Sequence, residues 1–255
     1  MKYSQKIAVS LLTLAVVFFF TAGVSAPNVT AKDKGELKEV VFIHYKLPDG
    51  FDFGQPPKPG KPVASCLVTT NDNINDWGAT GWHMTTTGLT YKINLSTLPL
   101  GMNSSAFQNA VAASTNTWKQ ADTGLNWTYG GTTNLKRAAY DGTNLVAFGS
   151  ARGAIAITTT WYWTGTGEIA ESDMILGSGL AWSMTSPSAG DCGGVANTYD
   201  VQNIATHEFG HQVGLLDLYS NVDKDLTMYG YGTPKELKKD SLGAGDITGA
   251  RAVAP

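Results

Sequence analysis

Eleven consecutive residues, HEFGHQVGLLD from His207 to Asp217, carry the side chains best suited to chemistry. His207 and His211 are four apart, so on a helix of about 3.6 residues per turn both imidazoles leave one face and two ring nitrogens can meet one metal ion. Glu208 sits about 100° further round, better placed to hold a water beside the metal than to ligate it, which makes it a candidate general base. Gly214, three residues beyond His211, is the type that ends a helix in a left-handed turn without a Cβ penalty and folds the chain back. Asp217 then arrives as a candidate third ligand. The bland alternative is an accident on an amphipathic helix. With four His in the chain, a chance HExxH arises in roughly one of a few hundred sequences, and requiring Gly214 and a ligand type at 217 lowers this to about one in ten thousand.

The stretch resembles the zinc-binding signature of the metzincin metalloproteases, HExxHxxGxxH, with Asp217 in place of the last His. Thr227-Met228-Tyr229-Gly230-Tyr231 is similar to the Met-turn of that group, and Leu242 to Gly249 resembles the last helix of matrixins and their prokaryotic relatives. The likeness covers roughly residues 82 to 254. It implies an α+β fold, a twisted mixed β-sheet over an active-site helix with a C-terminal helix below the cleft. It also implies a zinc endopeptidase in which His207, His211 and Asp217 hold one Zn2+ and Glu208 serves as base. Met228 would pack beneath the ligands without coordinating, which is also what a gap-filling core Met does. Neither Tyr229 nor Tyr231 receives a catalytic role.

The elements that must position these residues follow in chain order. Lys2 and Lys6 precede an uncharged apolar run from Ile7 to Phe20, and small residues from Thr21 to Ala26 resemble a signal-peptidase site, so 1–26 reads as a signal peptide and the protein as secreted. The run, about fourteen residues, is short of the twenty or so that span a bilayer. Residues 27 to about 80 read as a separate pro-segment or linker, with a short β-type run at Val40–Tyr45 and a Pro- and Gly-rich stretch from Pro48 to Pro62. His44 lies in that run without a partner motif and reads as a surface or packing histidine rather than a ligand. Cys66 and Cys192 are an even count in an exported chain and suggest a disulfide. The alternative, borrowed from matrixins, is a pro-segment thiolate on the zinc.

Residues 81–255 read as the catalytic domain. Leu89 to Leu95 alternates as a strand, and Ser104 or Ser105 could cap a helix carrying Phe107, Ala110, Val111, Thr115 and Trp118. Further strands are expected near Leu125–Tyr129, Leu145–Phe148 and Ala154–Trp163, with a Thr164–Gly167 turn into Glu168–Leu176. The resemblance makes 172–176 the sheet edge along which an extended peptide would add. Asp200 can cap the active helix, whose other face offers Val201, Ala205 and Phe209 to the core.

A net charge of −3, which becomes −5 when Lys2 and Lys6 leave with the leader, gives no basic patch for nucleic acid. The expected partners are protein or peptide substrates, with no membrane span after signal removal and a monomeric chain. Asn28, Asn94, Asn103 and Asn126 begin glycosylation sequons. Too few His remain for a second, structural zinc; Ca2+ could use Asp and carbonyl oxygens, although no calcium-loop consensus is present. Two other function classes compete. One is a catalytically weak cell-surface binding module, suggested by seven Trp and opposed by an intact Glu208. The other is a structural metal site, opposed by the lack of zinc-finger cysteine spacing.

Overall fold

The computed structural model describes residues 34–48, 75–185 and 193–255. The expected signal peptide, the Pro-rich stretch beyond Pro48, Cys66 and Cys192 lie outside the described residues, as does Asn28. The elements are β1 (Leu37–Lys46), β2 (Leu89–Ile93), α1 (Ser104–Trp118), β3 (Trp127–Thr132), β4 (Asn144–Gly149), β5 (Ala156–Trp163), β6 (Ile169–Gly177), β7 (Trp182–Ser183), β8 (Tyr199–Asp200), α2 (Val201–Val213), β9 (Tyr231–Gly232) and α3 (Ala244–Val253). Seven strands form one mixed sheet in the order β3-β2-β4-β6-β5-β1-β9, and β7 pairs with β8 beside it. The fold is α+β, as the sequence implies. Among the described residues no helix is long and apolar enough to cross a membrane.

Alternation of side chains divides the sheet into two faces. Ile93, Val146, Phe148, Met174 and Leu176 join Phe107 and Val111 of α1 and Ile204, Phe209 and Val213 of α2 in the main core. Leu145, Ala147 and Ile175 pack on the opposite face with Leu135 and Ala138. The β5 sequence AITTTWYW is β-branched and aromatic, which suits a pleated surface. Its hairpin into β6 closes through Gly167, whose φ of 75° favours glycine and whose N–H donates to Trp163 O at 2.7 Å.

Three expectations change. The α1 cap is Asn103, not Ser104 or Ser105: its side-chain oxygen accepts from Ala106 N at 2.9 Å, and an amide oxygen caps as well as a hydroxyl. β6 is no edge, because β4 runs parallel to it on one side and β5 antiparallel on the other. Residues 172–176 therefore have no free backbone for a peptide.

The third change concerns the N-terminal unit, which is not separate from the sheet at 37–46. β1 pairs antiparallel with β5 from Leu37↔Trp163 to His44↔Ala156 and parallel with β9 at Tyr45↔Tyr231. Further on, Trp77 lies against Gly249, and Thr80 N donates to Gly214 O at 2.9 Å. The short β-type run lacked the length to signal which sheet it would join. Asn94 is buried, with its side-chain amide on Leu135 O at 2.6 Å, which leaves no room for a glycan there.

Candidate metal centre

α2 begins where Asp200 accepts from Asn203 N at 3.1 Å and ends at Gly214, with φ 115° and an N–H to Gly210 O at 3.2 Å. A Cβ on Gly214 would lie 2.4 Å from Trp82 O, so both backbone and space require glycine. The reversal brings Asp217 back over the helix. Its Oδ1 stands 3.0 Å from His207 Nε2 and 3.5 Å from His211 Nε2. Each histidine points its other nitrogen at a backbone carbonyl: His207 Nδ1–H donates to Thr227 O at 2.8 Å and His211 Nδ1–H to Leu215 O at 2.9 Å. That choice of tautomer leaves both Nε2 atoms as lone pairs facing a carboxylate.

His207 Nε2, His211 Nε2 and Asp217 Oδ1 are buried and have no hydrogen-bond partner. Three converging lone pairs repel one another unless something positive lies among them. All three atoms fall within 4.8 Å of one another. The observed separations match the roughly 3.3 Å edge of a tetrahedron with metal–ligand bonds of about 2.0–2.1 Å. The donor set of two imidazoles and one carboxylate fits a divalent transition metal such as zinc. Burial lowers His207 to about 4, with Lys239 adding to the effect, so the ring is neutral at pH 7 and free to ligate.

Met228 lies under this assembly, buried, with its N–H donating to Asp246 Oδ1 at 3.1 Å. Asp246, at the start of α3, also accepts from Thr227 N and Gly243 N, each at 2.8 Å. One carboxylate thus fixes the loop whose Thr227 carbonyl orients His207. Gly210 is the helix position against which Met228 packs: a Cβ there would sit 2.1 Å from Met228 Sδ and 2.7 Å from Trp118 Cζ2. Gly210→Ala is expected to destabilise the fold by about 1–3 kcal/mol despite the better helix propensity of Ala. A melting curve checks this; an unchanged or higher Tm would mean that the Met228 and Trp118 packing yields without cost.

Glu208 is fully buried, and burial raises its carboxyl to about 8. Thr158 Oγ1, from β5, donates to Oε2 at 2.5 Å, and His44 Nδ1 lies 3.2 Å from Oε1. Of the two expectations for His44, surface or packing, the structure shows the second, and places it inside the site. It is fully buried, its ring centroid is 3.9 Å from that of His207, and its Nε2 is 2.9 Å from Lys239 Nζ. Lys239 also donates to Tyr229 O and to Tyr231 O. An ammonium has only donors, so His44 Nε2 accepts, Nδ1 carries the proton, and that N–H donates to Glu208. Phe42, two residues earlier on the same face of β1, stacks on His211 with centroids 3.9 Å apart and an interplanar angle of 13°.

The structure therefore brings together His207, Glu208, His211 and Asp217, with Gly214 and Met228 supporting them. Phe42, His44, Thr158, Lys239 and Tyr219, whose Oη donates to Asp217 Oδ2 at 3.1 Å, join the site without having been singled out for it. Only the buried Lys in Glu236-Leu237-Lys238-Lys239-Asp240 is unusual in kind, and a run of charges conceals it. No protein-family model matches the chain, and a search of curated proteins finds no significant relative.

Proposed function

We propose that the protein is an exported zinc-dependent endopeptidase of metzincin-like architecture. The observation that carries this reading is the convergence of three buried, unpartnered ligand atoms next to a buried carboxylate that is not one of them. A mixed sheet over α2, with α3 bracing the Met228 loop, supports the family likeness. The charged-then-apolar leader of the sequence supports export.

His207, His211 and Asp217 would hold the ion, and zinc in such a site supplies Lewis-acid polarisation of a carbonyl and acidification of water. The remaining work falls to the chain. Glu208 removes a proton from the attacking water and delivers it to the leaving amine nitrogen. Thr158 fixes one carboxylate oxygen, and the other, which meets His44 Nδ1, is the one left to take the proton. The Thr227 and Leu215 carbonyls hold the two imidazoles in the ligating tautomer. A closed structural centre would need no such base, which weighs against a purely structural ion.

The test is hydrolysis of denatured casein by the purified full chain, with and without a chelator, and after restoring zinc. Cleavage abolished by the chelator and recovered with zinc is expected; chelator-resistant cleavage, or a zinc-loaded chain that cleaves no peptide in any form, would overturn the reading.

A further inference from the structure

The face of the sheet turned away from α1 and α2 holds a concavity of its own. Side chains alternate along β1, so Phe42 and His44 meet the metal centre while Glu39, Val41 and Ile43 point the other way. Their register partners on β5 are Trp161, Thr159 and Ile157, and Ile157 is opposite Ile175 of β6. Together with segment 136–140 and the turn at Ser150 and Arg152 they line a cleft of about 610 Å³, within the range of small-molecule sites. The cleft is no part of the metal centre: Thr158, between two floor residues, turns to Glu208 on the opposite face.

Segment 136–140 is a fixed wall. Two buried acids of β6 hold it: Asp173 accepts from Ala139 N at 3.0 Å and Leu145 N at 2.7 Å, and Glu171 accepts from Asp141 N at 3.0 Å and from Gly142 N. Burial raises both carboxyls, that of Asp173 to about 7, so the hold is made against a desolvation cost. Asp173 is opposite Thr159 and Glu171 opposite Trp161, so the segment runs alongside β5. Tyr140 thereby packs on Trp161, with ring centroids 6.0 Å apart, while the Lys136 carbonyl and Ile175 both lie against Gly149 at the other end.

This arrangement polarises the cleft. At the Ile43 end stand Lys136, Arg137 and Arg152, all exposed and none with a side-chain ion pair among the described residues, on a chain of net charge −3. Arg152, at φ 52°, and Gly153, at φ 88°, form a turn that Ala154 N closes on Ala151 O at 2.9 Å. Asn or Gly suits the first of these positions, so an arginine stands there against the preference of the backbone. Glu39, the one acid in the lining, is at the far end, where it accepts from Trp161 Nε1 at 3.1 Å. Between the ends the surface is aliphatic, and the backbone groups of β1 and β5 are paired with each other. A peptide or sugar laid there would bring several amides or hydroxyls without partners, which disfavours it. A ligand with one anionic head and an apolar body has no such loss.

We propose that this cleft binds a free fatty acid of medium chain length, its carboxylate among Lys136, Arg137 and Arg152 and its chain running over Ile157 and Val41 towards Tyr140 and Trp161. The four strand residues from Ile157 to Trp161 span about 13 Å, enough for a chain of about ten to twelve carbons. The proposal is independent of what the metal centre does, and its test does not use peptidase activity.

The test is titration calorimetry of the full chain with dodecanoate below its micelle-forming concentration. One equivalent is expected to bind with a Kd below about 100 μM, and Arg137→Glu and Arg152→Gly are each expected to weaken it at least about tenfold. Both side chains are exposed and glycine suits the φ of residue 152, so both variants keep their fold, as melting curves check. Acetate has the head without the chain, and dodecyltrimethylammonium has the chain with the opposite charge; each is expected to bind at least about a hundredfold more weakly than dodecanoate. Absence of saturable binding, equal affinity for dodecyltrimethylammonium, or undiminished affinity in both arginine variants would overturn the proposal. So would binding to phosphatidylglycerol vesicles with none to monomeric dodecanoate, which would make the cleft a membrane contact, or tighter binding of an acidic peptide at the same three cations.

Discussion

Glu208→Gln is expected to lower peptide hydrolysis by at least about a hundredfold while a full equivalent of zinc stays bound. The amide matches the carboxylate in shape and can still take the Thr158 hydroxyl, which donates to Oε2 at 2.5 Å. It cannot accept a proton from water or return one to an amine. Glu208 is absent from the triad of His207, His211 and Asp217, so zinc content should not follow activity. Turnover equal to that of the parent, with zinc present, would remove Glu208 from the mechanism.

Asp217→Ala is expected to lower zinc affinity by more than about a thousandfold, whereas removal of a residue that only orients a ligand costs about ten- to a hundredfold. The geometry favours the larger loss. An orienting carboxylate would have to accept a ring N–H from His207 or His211, but both Nδ1 atoms already donate to Thr227 O and Leu215 O. Asp217 Oδ1 instead meets the two Nε2 atoms, at 3.0 and 3.5 Å. Its other oxygen is held by the Tyr219 hydroxyl, which fixes the carboxylate in a single-oxygen presentation. Asp217→His should recover part of the affinity, limited by the longer side chain in a space built for a short one. Zinc titration of both variants decides the matter, and near-normal binding by Asp217→Ala would make the carboxylate dispensable.

What could be read in the sequence was local. The i, i+4 spacing of His207 and His211, the cap at Asp200 and the left-handed stop at Gly214 each depend on residues within one or two turns, and each appears where expected. Most strands were visible from β-branched and aromatic runs. What was hidden depends on pairing across the chain. His44 meets Glu208 over a separation of 164 residues and Lys239 over 195. Nothing in Val40–Tyr45 distinguishes a strand of this sheet from a strand of a separate unit. The misplaced edge has the same origin: the β6 sequence fits an edge or an interior position, and only the neighbours β4 and β5 decide. Thr158 was hidden because a Thr in a β-branched run reads as strand propensity rather than as a hydrogen-bond donor to a buried acid.

The placement of β1 also has a consequence for the order of assembly during folding. The contacts that build the centre are short in sequence: 4 residues for His211 to Leu215, 20 for His207 to Thr227 and 19 for Thr227 to Asp246. β1 instead reaches Tyr231 from Tyr45, a separation of 186 residues. Closing a loop of that length rather than one of 20 costs about 2 kcal/mol more in chain entropy. Long-range pairings of this kind form late. The helix, its ligands and the Met228 loop are therefore expected to assemble before their own first strand pairs. During that interval the backbone of β5 and the Gly230–Gly232 carbonyls stand open to any extended chain, and one of the chains that fits them best is the same segment of a neighbouring molecule.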